Sequence, residues 1–169
     1  MKTMLLWLKT RAPGSHGGDD GQTLAEFAII LPVLFFIIFG LVDMARAMQS
    51  YVTIQEAARD GARYAVTGRV DCTGPAVQSR ENCIAQMVED RTYQLNNSDT
   101  ITTEFRHWDY PSYADPATEN DAGEQCDAVE VEVTYEYTPI TPIFTALVTD
   151  SITMSARERL VNEPFGTCS

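Results

Sequence analysis

The chain has 169 residues, 44% of them hydrophobic and 21% charged, and its 12 basic and 24 acidic side chains give a formal net charge of −12. These totals describe one modest domain at most. Nucleic-acid affinity depends on Lys and Arg neutralising phosphates, so the acidic balance argues against a nucleic-acid partner.

A run of 16 uncharged, mainly apolar residues, 27–42, lies between Glu26 and Asp43. As a helix it measures about 24 Å, somewhat less than the roughly 30 Å hydrocarbon core of a bilayer, and its flanking residues extend it. A helix that is apolar on every face needs protein or lipid all round, and the rest of the chain is too small to enclose it. We therefore expect a transmembrane helix at residues 22–43, in contact with membrane lipid, rather than a buried core helix.

The basic residues ahead of the apolar run predict its orientation. Lys2, Lys9 and Arg11 precede the run, and the positive-inside rule keeps such residues in the cytoplasm. The protein is then single-pass in the cytoplasmic (inner) membrane, with an extracytoplasmic C-terminal domain. All the cysteines lie on that outer side and are even in number, which suits an oxidising compartment: Cys72, Cys83, Cys126 and Cys168.

The segment before the apolar run differs from an ordinary secretory signal. Residues 12–21 are polar and glycine-rich, and Glu26 carries a charge at the start of the helix. An acidic residue costs of order 2.5–3.5 kcal/mol at the centre of a membrane helix and less near the interface. We expect Glu26 to have a partner, unless it is simply an interfacial residue at the helix end.

Three features together resemble the TadE-like family: the residues GQTLAEF at 21–27, Pro32 and Gly40 within the apolar run, and DGARYA at 60–65. Members of this family are minor pilins or pseudopilins of the Tad (Flp-type) branch of bacterial type IV pilus systems. The resemblance covers the chain well from Gly21 to about residue 66 and only loosely over 129–160.

The resemblance implies that a membrane-embedded prepilin peptidase cuts after Gly21, which removes a leader of residues 1–21 and makes Gln22 the new N-terminus. Glu26, followed by Phe27, would be the fifth residue of the mature chain. In an assembly of this kind the α-amino group of one subunit can neutralise the buried Glu of its neighbour, and a buried charge is tolerated when paired. The implied partners are the peptidase, other Tad pilins or pseudopilins and the inner-membrane assembly platform.

The helix is expected to continue beyond the membrane. Apolar residues recur at helical spacing through 44–66, so a stalk would follow the transmembrane segment and lie against a head of residues 67–169. Pro32 removes a backbone hydrogen bond and should kink the helix, and Gly68 is among the residues that end it. A group of small residues serves either contact with another subunit or packing on the protein's own sheet: Ala57, Ala58, Gly61, Ala62 and Ala65.

The head is predicted to be α+β, with a second helix at 76–95 and an antiparallel sheet of about three strands. Residues 129–137 alternate apolar and polar without error, 151–161 form a second strand, and 101–108 give a weaker third. The polar faces of the first two are complementary. If they pair antiparallel, each of two Glu–Arg pairs contributes about 0.2–1 kcal/mol: Glu132 with Arg157, and Glu130 with Arg159.

The same pairing of strands favours two disulfides. It brings Cys126 towards the C-terminal tail, which favours Cys126–Cys168. Cys72 and Cys83 are eleven residues apart, a separation that a disulfide can close. Two other pairings of the four cysteines remain open.

Residues 109–125 form an acidic loop rich in turn formers. Clustered carboxylates suit hard cations or a binding partner, but the spacing does not match an EF-hand, and a solvated loop is the default expectation. His107 is the only histidine after the expected leader, and no catalytic, phosphate-binding or C-x-x-C motif is present. We therefore expect no enzyme, no catalytic residues, no metal site and no cofactor.

These observations favour a structural or assembly role, as a minor pilin or pseudopilin whose head is exposed outside the membrane and contributes to adhesion by the pilus. The alternative is a signal-anchored extracytoplasmic binding module that is never cleaved and joins no filament. Cleavage at Gly21 and dependence on Glu26 separate the two hypotheses.

Overall fold

The computed structural model describes residues 19–72, 79–95, 100–141, 151–164 and 168, except for the side chains of residues 19 and 20. The described elements are α1 (Asp19–Val66), α2 (Arg80–Thr92), β1 (Ile101–Trp108), β2 (Thr118–Glu119), β3 (Ala128–Tyr137) and β4 (Ile152–Val161). The α+β prediction, a long apolar helix followed by a small head, is confirmed. The chain divides into two compact units, Met1–Phe39 and Gly40–Ser169.

The long helix ends at Val66, as the sequence predicts, because Gly68 takes a positive φ of 63° and its N–H donates to the carbonyl of Ala65. The second helix is shorter than the predicted 76–95. It begins at Arg80, where Ser79 is the N-cap and its side chain accepts a hydrogen bond from the backbone N–H of Asn82. Of the predicted start, 76–78 lie outside the described residues, and 93–95 form a turn instead of a last helical turn.

The sheet has the order β2-β1-β3-β4, and every neighbouring pair is antiparallel. The three predicted strands are present, with Glu132 opposite Arg157 and Glu130 opposite Arg159. The fourth strand, β2, was not predicted. It consists of two residues of the acidic loop that pair back onto β1, so that part of this loop belongs to the sheet.

One face of the sheet forms the core with both helices. The odd-numbered residues of β3 lie on this face with the even-numbered residues of β4, which is why the alternation in both sequences is so regular. The fully or nearly fully buried residues of this core in the two strands and the helices are Ile54, Ala57, Ala58, Ala62, Ala65, Ile84, Val88, Val129, Val131, Val133, Tyr135, Tyr137 and Ala156.

The opposite face of the sheet carries charged residues, and their partners differ in part from the predicted ones. Arg157 pairs with Glu132 at 2.9 Å, as expected. Glu130, however, pairs with Arg106 of β1 at 3.1 Å, and Arg106 also pairs with Glu132. Arg159 instead lies over the ring of Trp108, 3.6 Å from its centroid. The predicted register is therefore correct, but the predicted Glu130–Arg159 ion pair is replaced by contacts to β1.

Burial removes water from Arg106 and by itself lowers the pKa of its guanidinium. The carboxylates of Glu132 and Glu130 outweigh that effect and raise the pKa above its ordinary value. Arg106 is therefore a fixed positive charge between the two glutamates, and it pairs with the carboxylate of Glu132, a residue that is only 6% exposed.

Candidate functional site

The first part of α1 exposes an apolar surface along its length. An 18-residue window of the helix has a mean hydropathy of 2.6, and 6% of that window is buried. The helix is long and apolar enough to cross a membrane, and its exposure argues against a core helix of a soluble protein. The exposed apolar side chains include Leu24, Phe27, Ile29, Ile30, Val33, Leu34, Ile37 and Leu41.

The expected cleavage position and the acidic residue lie in the first turns of this helix. Among the described residues, no atom other than those of the neighbouring residues and of the helix's own backbone lies within 4 Å of where a side chain at Gly21 would begin. The side-chain amide of Gln22 donates a 3.1 Å hydrogen bond to Oε1 of Glu26, and both residues are exposed. An amide does not neutralise a carboxylate. This contact therefore leaves the negative charge of Glu26 available to a positively charged group.

Phe27 and Pro32 follow on the same helix. Phe27 is 60% exposed, in continuity with the apolar surface. Pro32 lies inside α1, which continues on both sides of it, and its ring nitrogen cannot donate the hydrogen bond of an ordinary helical residue. The expected kink at Pro32 remains a prediction.

The small residues of α1 pack inside the protein's own head. Gly61, like its small neighbours, is buried, and a Cβ added there would lie 2.9 Å from Cγ2 of Val88 on α2 and 3.4 Å from Cγ1 of Val131 on β3. Because Gly61 has no side chain, α1 packs closely against both α2 and the sheet. Of the two roles left open by the sequence, the structure supports internal packing.

Asp43, the first charged residue after the apolar run, is buried and holds the chain that follows β3. Its carboxylate accepts hydrogen bonds from the backbone N–H of Ile140 at 3.2 Å and of Thr141 at 3.3 Å, and from the Thr141 hydroxyl. Its backbone carbonyl accepts one from the hydroxyl of Tyr137 at 3.1 Å. We call this arrangement the Asp43 clasp. Each of these partners lies at or just after the end of β3.

Arg80 is the centre of a second polar cluster. Its guanidinium donates to the carbonyls of Ala65 and Gly123 and to the side-chain oxygen of Asn162. The amide of Asn162 in turn donates to the carbonyls of Ala122 and Glu124. Burial lowers the pKa of Arg80, while nearby carboxylates, that of Glu81 first, act in the opposite direction. This cluster ties the end of α1 and the start of α2 to the acidic loop and to the residue after β4.

The structure contains disulfides between Cys72 and Cys83 and between Cys126 and Cys168, the two pairs that the sequence favours. Their Cα atoms are 5.1 and 5.9 Å apart, within the usual range for such bonds. The first links the segment after α1 to α2. The second links the start of β3 to the C-terminal tail.

The acidic loop borders a cavity of about 380 Å³ next to His107. Ligand atoms of His107, Asp109 and Asp127 lie within 4.8 Å of one another, which is the spacing of groups that could hold a metal ion. These atoms already have partners. The carboxylate of Asp127 accepts from the backbone N–H groups of Tyr110 and Glu124, and His107 lies 3.3 Å from the carbonyl of Asp121 and 3.4 Å from Asp109. These contacts hold the acidic loop together.

Sequence reasoning missed both Asp43 and Arg80. Asp43 appears in the sequence only as the charge that ends an apolar run, and Arg80 as one of several polar residues at a helix start. Their partners, Ile140 and Asn162, are separated from them by 97 and 82 residues. The sequence offers one signal for the role of Asp43, which is its position directly after the apolar run. A carboxylate buried there needs several hydrogen-bond donors.

Comparison with known protein families confirms the resemblance. The family model described as TadE-like protein matches residues 21–63, which include Gly21, Glu26, the apolar run and all of the small residues of α1 except Ala65. No curated protein and no solved structure matches the chain. The match covers 43 of the 169 residues, and the exposed apolar helix within it is long and apolar enough to cross a membrane.

Proposed function

We propose that this protein is a minor pilin or pseudopilin of a Tad/Flp-type pilus. A prepilin peptidase removes residues 1–21, Gln22 becomes the N-terminus, and α1 anchors the chain in the inner membrane with its head outside. The observation that carries this proposal is the family match, which begins at Gly21 itself and continues through an exposed apolar helix.

The chemistry of this role is packing and charge pairing rather than catalysis. The exposed apolar surface of α1 associates with lipid before assembly and with other pilin-type helices during it. Glu26 is exposed on this surface, and the hydrogen bond that it accepts comes from the uncharged side-chain amide of Gln22. The α-amino group created by cleavage in a neighbouring subunit supplies the missing positive charge, and the pairing is strongest where lipid or protein excludes water.

The proposal predicts that Glu26→Ala blocks assembly without preventing membrane insertion. The matched control is Glu56→Ala, because Glu56 is also an exposed glutamate of α1 but lies beyond the apolar run. Sheared pili and membrane fractions are quantified in a strain whose native copy is deleted. Normal piliation with Glu26→Ala would contradict the proposal and favour the uncleaved, signal-anchored binding module.

A further inference from the structure

The cavity beside the acidic loop brings together three side chains that can each offer a ligand atom to a metal ion. His107 lies near the end of β1, Asp109 follows that strand, and Asp127 precedes β3. The two strands are antiparallel and Trp108 pairs with Ala128, so Asp109 and Asp127 follow at opposite positions just beyond the strand ends. Ligand atoms of the three residues lie within 4.8 Å of one another. The cluster depends on this pairing of strands, so the spacing in the sequence does not reveal it.

His107 presents one ring nitrogen to the cluster. Its side chain is only 9% exposed. Nδ1 lies 3.3 Å from the backbone carbonyl of Asp121, which can only accept, and this contact assigns the proton of the neutral imidazole to Nδ1. Nε2 then carries a lone pair, and it faces Oδ1 of Asp109 at 3.4 Å. Two acceptor atoms that face each other in this way suit a cation bound to both.

The distance between these two atoms distinguishes a metal ion from a proton. A charge-assisted hydrogen bond from a protonated imidazole to a carboxylate is usually about 2.7–2.9 Å long, shorter than the 3.4 Å between His107 and Asp109. Zn²⁺ binds nitrogen and oxygen ligands at about 2.0–2.2 Å, which separates two ligands of a tetrahedral ion by about 3.4 Å. The Asp109 side chain is 80% exposed, so its carboxylate can turn to complete the coordination.

The carboxylate of Asp127 is fixed in position as a third ligand. The residue is 7% exposed. Oδ1 accepts a hydrogen bond from the backbone N–H of Tyr110 at 2.9 Å, and Oδ2 accepts one from that of Glu124 at 2.7 Å. A carboxylate oxygen has two lone pairs, so each oxygen keeps one for a metal ion. Hydrogen bonds of this kind, like that between His107 and the carbonyl of Asp121, orient the ligands of protein metal sites.

We propose that His107, Asp109 and Asp127 form a binding site for a divalent transition-metal ion of the Zn²⁺ type. Imidazole with carboxylates suits such an ion, whereas Ca²⁺ takes six to eight oxygen ligands. The cavity of about 380 Å³ has room for a water molecule as a further ligand. The bound ion would join the end of β1 to the start of β3 and offset part of the negative charge of the acidic loop. This inference concerns the head alone and does not depend on whether the protein is a processed pilin.

The test uses the full chain with His16→Ala, purified in detergent without a polyhistidine tag and stripped of metal by a chelator. His107 is then the only histidine. Isothermal titration calorimetry with zinc chloride measures the affinity, and thermal unfolding with and without zinc measures the stabilisation. His107→Asn and Asp109→Asn each remove one ligand. Glu119→Gln is the matched control, since Glu119 is an exposed carboxylate of the same loop.

We expect one zinc ion per chain, a higher unfolding temperature with zinc, and an affinity at least about tenfold weaker in His107→Asn and Asp109→Asn but unchanged in Glu119→Gln. Asp109→Asn should keep the metal-free unfolding temperature, because this side chain is exposed, so its loss of affinity would not reflect misfolding.

Three results would overturn the proposal. The first is the absence of zinc binding. The second is an affinity that the two ligand variants leave unchanged, or that Glu119→Gln weakens equally, since either result indicates diffuse attraction to an acidic surface. The third is binding of calcium in preference to zinc that persists in His107→Asn, since it would assign the cation to the carboxylates of the loop alone.

Discussion

The carboxylate of Asp43 accepts a hydrogen bond from the backbone N–H of Ile140 across 97 residues of sequence. This contact connects the point where α1 leaves its apolar run to the end of the central strand of the head. The residue is buried, and its hydrogen bonds replace the water that a carboxylate would otherwise bind. The head is thereby attached to the helix by polar contacts as well as by its apolar core.

Asp43→Ala is expected to destabilise the head by about 1–3 kcal/mol, because it leaves the N–H groups of Ile140 and Thr141 without an acceptor. Asp43→Asn should cost less, since its amide oxygen can still accept. Urea unfolding of the detergent-solubilised protein, followed by near-UV circular dichroism, measures both. Glu56→Ala is the control, and equal midpoints for Asp43→Ala and Glu56→Ala would show that the clasp contributes nothing.

Gly61→Val is expected to destabilise the head by about 1–3 kcal/mol through overpacking, because its first side-chain atom would lie 2.9 Å from Val88. Glu56→Val is the control, because it introduces the same β-branched residue at an exposed position of the same helix. Thermal unfolding compares the two. If the overpacking arises from this contact, adding Val88→Ala to Gly61→Val should restore part of the lost stability. Strictly additive effects of the two substitutions would rule out this contact as the cause.

Arg80→Met should destabilise the protein by at least about 1–3 kcal/mol, because the side-chain oxygen of Asn162 and the carbonyl of Ala65 lose a charged donor. Arg69→Met is a suitable control, since Arg69 is exposed just beyond the end of α1. Hydrogen exchange should show faster exchange in the loop that Arg80 and Asn162 hold, around Gly123. Unchanged exchange at this loop would contradict the proposed role of Arg80.

The two disulfides are expected to contribute unequally. Cys126 and Cys168 are 42 residues apart, and Cys72 and Cys83 are 11 residues apart. The chain-entropy relation therefore gives a stabilisation of about 4 kcal/mol for the first disulfide and about 3 kcal/mol for the second. Replacing each pair by alanines and comparing unfolding midpoints tests this order. Peptide mapping without reduction tests the pairing, and a peptide that links Cys72 to Cys126 would disprove it.

The parts of the fold that could be predicted from the sequence are those with a regular local pattern. The alternation of β3 and the charges of Glu132 and Arg157 were sufficient to predict the register of the β3–β4 pair. The partner of Glu130 was not predictable in this way, because Arg106 comes from β1, a strand with a weaker pattern. Arg159 likewise contacts a residue of β1, Trp108, which pairs with Ala128 rather than with Glu130.

Long-range polar contacts could not be predicted from the sequence for a related reason. Asp43 and Arg80 each meet partners that only the tertiary fold brings close, and neither side chain has a local pattern that indicates them. The segment of Gly21 and Glu26 is the opposite case. It was recognised from its residue order alone, because the motif is local and attached to an apolar helix of the right kind.

The measurement that tests the central claim most directly is the N-terminal sequence and intact mass of the protein extracted from membranes, with and without the prepilin peptidase. The account predicts a chain that begins at Gln22 only when the peptidase is present. Glu26 is then the fifth residue of a processed subunit. A chain that retains residues 1–21 under both conditions would contradict the account and identify the protein as an uncleaved, membrane-anchored module.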